Sequence, residues 1–299
     1  MSYAAAVNLP QVEPSAVTGY QHIRVDPISP YLGAEINGVD LSRPLSEAVF
    51  AEIKRAFVEF SVIFFRDQHL TSERYIAFAR GFGRININRF FKAVDGHPEI
   101  AEVRKEAGQI SNIGGGWHTD HSYDQIPALG SMLYARELPP VGGDTLFSSM
   151  VAAFEALSPG LQKTLRGLTA LHSSRHVFGP QARRLAESDL MGRIGNPELA
   201  TQDAVHPVII THPESGRQAL YVNSNFTVRI EGWSDGESAA LLGYLYQHAA
   251  RPEFTARFRW QPGSLAFWDN RSTWHLALND YAGHRRLLHR ITIEGSPLS

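Results

Sequence analysis

Behind three consecutive glycines the chain places Trp117-His118-Thr119-Asp120, an imidazole and a carboxylate two positions apart. In an extended segment residues i and i+2 face the same way, so both side chains can reach one object. That object is a metal ion, or the two groups hydrogen-bond to each other; the spacing alone allows both. A metal site needs a third ligand, and among 13 histidines His275 stands out because it follows FWDNRSTW, a strand ending in polar turn residues. The chain has no cysteine. Any metal is therefore held by nitrogen and oxygen, which suits iron, manganese or zinc and excludes an iron–sulfur cluster.

Further along, RRLLHRITI alternates, so Arg286, Leu288, Arg290 and Thr292 share one strand face. If that face looks inward, two buried guanidiniums need anions, because a lone buried charge is expensive. Arginine's planar fork suits a carboxylate well. The same pattern also fits a solvated face of an edge strand. His121 follows Asp120 directly, and in a continuing strand this spacing turns it to the opposite face, in a structural role.

Short β-like runs dominate the elements that must hold these residues. Residues 20–25, 32–36 and 61–65 read as strands, and 45–60 as a helix with Ser46 as N-cap. A second helix starts at Thr71 and stops at glycine, and 158–168 carries Ser158 as cap with Pro159 at the first helical position. Segment 85–116 has weak periodicity and reads as a long loop around a cleft, and 180–203 as a polar surface excursion. Residues 131–147 read as strand, turn and strand. Ser234 and Glu237 have the spacing of a capping box before a helix. Residues 254–260, 264–268 and 285–293 complete the strands. Many strands, few lateral helices and no regular βα alternation argue for a mainly β sandwich or barrel with flanking helices, one domain over 1–299.

The chain has 28 basic and 30 acidic residues, a formal net charge of -2. That balance gives no reason to expect nucleic acid or an anionic membrane as partner. No run of 18 apolar residues exists, and the first residues lack the basic and apolar regions of a signal peptide. A reducing cytoplasm is the simplest expected location for a cysteine-free chain.

The runs LGAEINGVDLSRPLS, FFRDQHLT, WHTDHSY, LPPVGGDTLFSSM, ALYVNSNFTVRI and the C-terminal FRWQPGSLAFWDNRSTWHLALNDYAGHRRLLHRITIEG together resemble the taurine dioxygenase / 2,4-dichlorophenoxyacetate dioxygenase (TauD/TfdA) family of iron(II), 2-oxoglutarate-dependent oxygenases. The resemblance implies a double-stranded β-helix, a jelly-roll of cupin type, with His118, Asp120 and His275 as iron ligands and open positions for 2-oxoglutarate and dioxygen. It implies that Arg286, eleven residues after His275, binds the far carboxylate of 2-oxoglutarate, with the Thr145 hydroxyl of GGDT on the same group. Arg290 matches the arginine that grips the substrate sulfonate in taurine dioxygenase. The implied partner is a small organic anion, and homodimers or homotetramers are assemblies the family forms, with 233–249 as an expected interface.

The departures bear on the substrate. Where taurine dioxygenase has a histidine and a tyrosine after FG, and an asparagine four residues before the first ligand, this chain has Asn88, Phe91 and Gly114. Asn88 still donates a hydrogen bond; Phe91 and Gly114 side chains cannot. Phe226 matches a residue lining the family's substrate cavity. The expectation is hydroxylation of a sulfonate or carboxylate larger or less polar than taurine, with C–S or C–O cleavage where the carbon bears a leaving group. Taurine itself is the alternative substrate, and a non-catalytic anion-binding protein on the same scaffold is the alternative of another class.

Overall fold

The computed structural model describes residues 19–180, 182 and 193–298. The strands in chain order are β1 (Arg24–Pro27), β2 (Ala34–Asn37), β3 (Val62–Phe65), β4 (Ile85–Asn86), β5 (Ala93–Val94), β6 (His97–Lys105), β7 (Gly130–Glu137), β8 (Thr145–Ser149) and β9 (Thr169–Ser173). They continue with β10 (Asp203–Pro207), β11 (Ile209–Thr211), β12 (Gln218–Leu220), β13 (Thr227–Ile230), β14 (Thr255–Phe258), β15 (Leu265–Asp269), β16 (Thr273–Ala277) and β17 (Arg286–Ile293). The major sheet runs β1-β2-β3-β15-β7-β17-β6-β5, with β4 also on β17, and a minor sheet runs β14-β8-β16. The two halves of 131–147 thus enter different sheets rather than pairing with each other.

Alternation along the strands sorts side chains into layers. From β3 and β15, Ile63, Phe65, Leu265 and Phe267 turn outward to meet Ile53, Phe57, Tyr75 and Phe78 of helices Glu47–Phe60 and Ser72–Arg80. Phe57 stacks on Phe267 with centroids 4.0 Å apart. The alternate residues Val62, Phe64, Ala266 and Trp268 turn inward against Phe147 and Phe258 of the minor sheet. Phe64 stacks on Phe258 at 4.0 Å, a buried pair whose area contributes about 1.5–3 kcal/mol per ring. Leu288 lies in the same inner layer. That fixes the parity of β17, because Arg286 and Arg290 share its face. The outer side of the minor sheet is closed by Trp274 with Leu242, Leu245 and Ala249 of helix Asp235–Ala249. The architecture is a mainly β jelly-roll with flanking helices.

The helix signals act as expected. Ser46, Thr71 and Ser158 each accept a backbone N–H from the first turn, and Ser234 with Glu237 forms a complete capping box. Segment 85–116 is a correction. It contributes β4, β5 and the nine-residue β6, which pairs antiparallel with β17 from Arg286↔Lys105 to Arg290↔Ala101. Its polar residues hid a strand half-covered on one side, which has no clean alternation to read. Of the expected excursion at 180–203, residues 181 and 183–192 lie outside the described residues; the remainder holds a short helical turn at Pro197–Leu199 and the start of β10. Among the described residues no helix is long and apolar enough to cross a membrane.

Candidate active site

The mouth between the two sheets is built by an extra rung on the minor sheet. His118 bridges to His275 of β16, with His118 N–H donating to the His275 carbonyl at 3.1 Å and the reverse bond at 2.8 Å. The imidazole centroids lie 4.0 Å apart. The chain then leaves the extended path: Asp120 opens a turn, and His121 has φ +58°. The expected continuation of the strand therefore fails at Asp120. His121 turns away to hold Asp124, its Nδ1 2.9 Å from Oδ2.

Asp120 comes back under the histidines. His118 Nε2 is 3.8 Å from its Oδ1 and His275 Nε2 is 3.8 Å from its Oδ2. One ligand atom from each of His118, Asp120 and His275 lies within 4.8 Å of the others, and all three residues are buried. Burial alone would raise the Asp120 pKa, but Arg290 and the two histidines outweigh it and hold the carboxyl well below its usual range. Burial pushes both imidazoles down, His275 the further, so each is neutral and offers a lone pair. The His118 Nδ1 lies 2.8 Å from the Gly116 carbonyl, which takes its proton and leaves Nε2 facing the cluster. Two neutral imidazoles and one ionised carboxylate form a donor set that fits iron(II).

Within the glycine run, Gly115 and Gly116 leave room for the Asn112 and Asn225 side chains, and Gly114 lies against His118 of the cluster. At φ +80° it sits where a side chain is strained, and a Cβ there would lie 3.3 Å from His118 Cε1 and 3.8 Å from Nε2. A side chain there would crowd the His118 ring.

Both arginines of β17 point into the mouth, as the alternation predicts. Arg286 is 4 % exposed, and its Nε and Nη2 have no hydrogen-bond partner. Burial pushes its pKa down. Its guanidinium lies near the rings of Trp260 and Tyr281. A Cβ on Gly143 would come within 3.1 Å of Arg286 Cδ and Nε, which explains the second glycine of GGDT. Thr145 is buried close by and accepts from Trp260 Nε1 at 3.0 Å. Arg290 is not alone: its Nη2 lies 3.0 Å from Asp120 Oδ2, which also accepts from Ser131 Oγ at 2.8 Å. Arg290 Nε remains buried without a partner.

Phe91 places its ring 5.7 Å from the Arg290 guanidinium carbon, and Phe226 lies 6.2 Å from the His118 ring. Phe90, Tyr123 and Phe178 pack with them as one aromatic wall. Asn88 stands differently from its expected role. Its Oδ1 accepts the N–H groups of Phe90 and Phe91, each at 2.9 Å, so its carbonyl shapes the loop. Sequence reasoning missed Ser131, Trp260, Tyr281 and Phe178; Trp260 and Tyr281 lie inside the C-terminal run that carries the resemblance, and no spacing singles out any of the four.

Two histidines and a carboxylate clustered so, leaving metal positions open, form the facial triad used by non-haem iron(II) oxygenases. The chain belongs to the taurine catabolism dioxygenase TauD, TfdA family, matched over residues 24–292. It is 34% identical to an alkylsulfatase of Acinetobacter baylyi over 278 residues, 92% of this chain and 86% of the relative. It is also 34% identical over 288 residues to the alpha-ketoglutarate-dependent 2,4-dichlorophenoxyacetate dioxygenase of Cupriavidus pinatubonensis, covering 89% and 96% of the two chains. The crystal structure of a taurine dioxygenase from Burkholderia xenovorans superposes with a TM-score of 0.76 at 37% identity, covering 92% of this chain and 90% of that one. The protein is an iron(II)- and 2-oxoglutarate-dependent dioxygenase.

Proposed function

We propose that the protein hydroxylates a small organic anion with an apolar body, a sulfate ester, sulfonate or aryloxy acid, using His118, Asp120 and His275 to hold iron(II). Bound iron supplies, with 2-oxoglutarate and dioxygen, the power to replace a C–H bond by C–OH while 2-oxoglutarate leaves as succinate and carbon dioxide. Where that carbon also bears a sulfate, sulfonate or aryloxy group, the hydroxylated product collapses to a carbonyl compound and releases it. The protein's own part is to bind, orient and exclude water.

Arg286 holds the far carboxylate of 2-oxoglutarate. Thr145 Oγ1 accepts from Trp260 and keeps its own proton to donate to the same carboxylate. Arg290 takes the anionic head of the substrate. Phe91 and Phe226 carry its body, and Gly114 leaves room above the metal. No side chain is required as a base, since a hydrogen atom rather than a proton is taken from carbon.

The observation that carries this reading is Arg286: a guanidinium 4 % exposed with two unpartnered nitrogen atoms, on the same strand face as Arg290, which reaches Asp120 of the metal-ligand cluster. The aromatic wall supports an apolar body on the substrate. So does the alkylsulfatase likeness. The likeness to a taurine dioxygenase favours taurine as the second reading. An oxygen-consumption screen with 2-oxoglutarate across taurine, longer alkylsulfonates, alkyl sulfates, aryloxyacetates and aryloxypropionates separates them. The expected result is preference for one of the larger anions. A taurine preference of about a hundredfold, roughly 2.8 kcal/mol, overturns the reading of the pocket. Assembly as a homodimer or homotetramer through helix Asp235–Ala249, whose Tyr244 is exposed, is read by light scattering across concentrations.

A further inference from the structure

We propose that Arg89 is a positioning residue that ties the aromatic wall of the substrate pocket to the turn carrying Asp120. The proposal rests on reading His118, Asp120 and His275 as the metal ligands. One arginine nitrogen, Arg89 Nη2, lies 2.5 and 2.8 Å from the two carboxylate oxygens of Asp124. Asp124 Oδ2 in turn meets His121 Nδ1 at 2.9 Å, and His121 directly follows Asp120. His121 is held at φ +58°, a conformation that L side chains adopt uncommonly and that persists where the surroundings over-determine it. The surroundings here are the Asp124 contact and the bond from Asp124 N–H to the His121 carbonyl at 3.0 Å.

On its other side Arg89 begins the wall. Its guanidinium lies over the rings of Phe90 and Tyr123, and two residues on, Phe91 faces Arg290. Arg290 returns to Asp120 at 3.0 Å. The path from Asp120 through His121, Asp124, Arg89, Phe91 and Arg290 is a closed ring around the pocket. The loop 88–91 has further support from Asn88 within it and from Asn196, whose Nδ2 donates to the Arg89 carbonyl at 2.9 Å. Neither of those contacts reaches the ligand turn. Phe90 also meets Tyr123 ring to ring, and the Arg89–Asp124 pair is the charged link between loop and turn, reaching the carboxylate that His121 holds. Asp124 is mostly buried, its carboxyl 16 % exposed, so the pair is less screened than a surface bridge. A shift of the wall when a substrate body packs on Phe91 is thereby transmitted to the carboxylate that holds the metal.

The test uses cobalt(II) in place of iron, because its visible band reports ligand geometry without turnover. In Arg89→Met and in Asp124→Asn, cobalt is expected to bind about fivefold to tenfold more weakly, with a changed band. The double variant is expected to be no worse than either single one, as for partners in one interaction. Arg89→Lys keeps the charge without the fork and should recover part of the loss. His118→Ala is the control for the underlying reading. If it binds cobalt like the wild type, the ligand assignment fails and this proposal falls with it. If His118→Ala loses cobalt while Arg89→Met and Asp124→Asn keep the wild-type affinity and band, the positioning role alone is wrong. Additive losses in the double variant also contradict it, since the two residues would then act separately.

Discussion

Replacing Arg286 by methionine is expected to move two measurements in opposite directions. The methionine stem fills most of the arginine's volume but carries no charge. In the free protein the change removes a guanidinium that is 4 % exposed with Nε and Nη2 unpartnered. An unmet buried donor costs about 1–3 kcal/mol, so the variant should unfold later, by at least roughly 2 °C for a chain of this size. For 2-oxoglutarate the sign reverses. Truncating one partner of a buried charge pair costs about 2–5 kcal/mol, equivalent to roughly 30- to 4,000-fold in dissociation constant. Titrating 2-oxoglutarate anaerobically into the iron(II) protein, followed by the weak visible charge-transfer band, reads that loss directly. A lower melting temperature together with unchanged 2-oxoglutarate binding would refute the reasoning, because Arg286 would then be a structural cation.

Arg290→Met should instead weaken the prime substrate and leave 2-oxoglutarate binding within a few-fold; equal effects of the two arginine variants on 2-oxoglutarate would show that β17 is misassigned. Gly114→Ala combines φ +80° with a Cβ 3.3 Å from His118 Cε1, so it should reduce metal binding measured by calorimetry, with full affinity counting against the crowding argument. Asp269 is buried, and although burial raises its pKa, Arg271 and His212 pull it down to about 2 from 3.8. Its contribution is therefore present above about pH 4 and lost as pH falls toward 2. In urea melts at neutral pH, Asp269→Asn should cost about 3–5 kcal/mol and flatten that acid limb. His172 is held at about 3 by burial and by His206, so an unfolded chain takes its proton from pH 6.5 downward. Stability should already decline between pH 6.5 and 3, less steeply in His172→Gln.

The fold was legible where one physical signal dominated. Ser46, Thr71, Ser158 and Ser234 marked helix starts because capping is local chemistry. That Arg286 and Arg290 share a face followed from alternation on β17; that the face looks inward, where Leu288 lies, is set by the packing of the two sheets. Strand β6 was illegible because its partner β17, not its own residues, decides that it is a strand. The turn at His121 was equally hidden: a positive φ at a histidine follows from Asp124 and the bridge of His118 to His275. The Arg290–Asp120 pair joins positions 170 apart in sequence, and no spacing rule reaches so far. At Asn88 the motif position suggests a donor toward the substrate, and the fold adds a second use that no spacing signals, its carbonyl turning the loop.

The central claim is that His118, Asp120 and His275 hold the metal with 2-oxoglutarate stretched from it to Arg286. A crystal structure grown with manganese(II) and 2-oxoglutarate, with the metal located by anomalous scattering, tests it most directly. The account predicts one strong peak coordinated by His118 Nε2, an Asp120 carboxylate oxygen and His275 Nε2, with the far carboxylate of 2-oxoglutarate on Arg286 and Thr145. A peak bound by other residues, or 2-oxoglutarate held by Arg290 while Arg286 stays unpartnered, would contradict it.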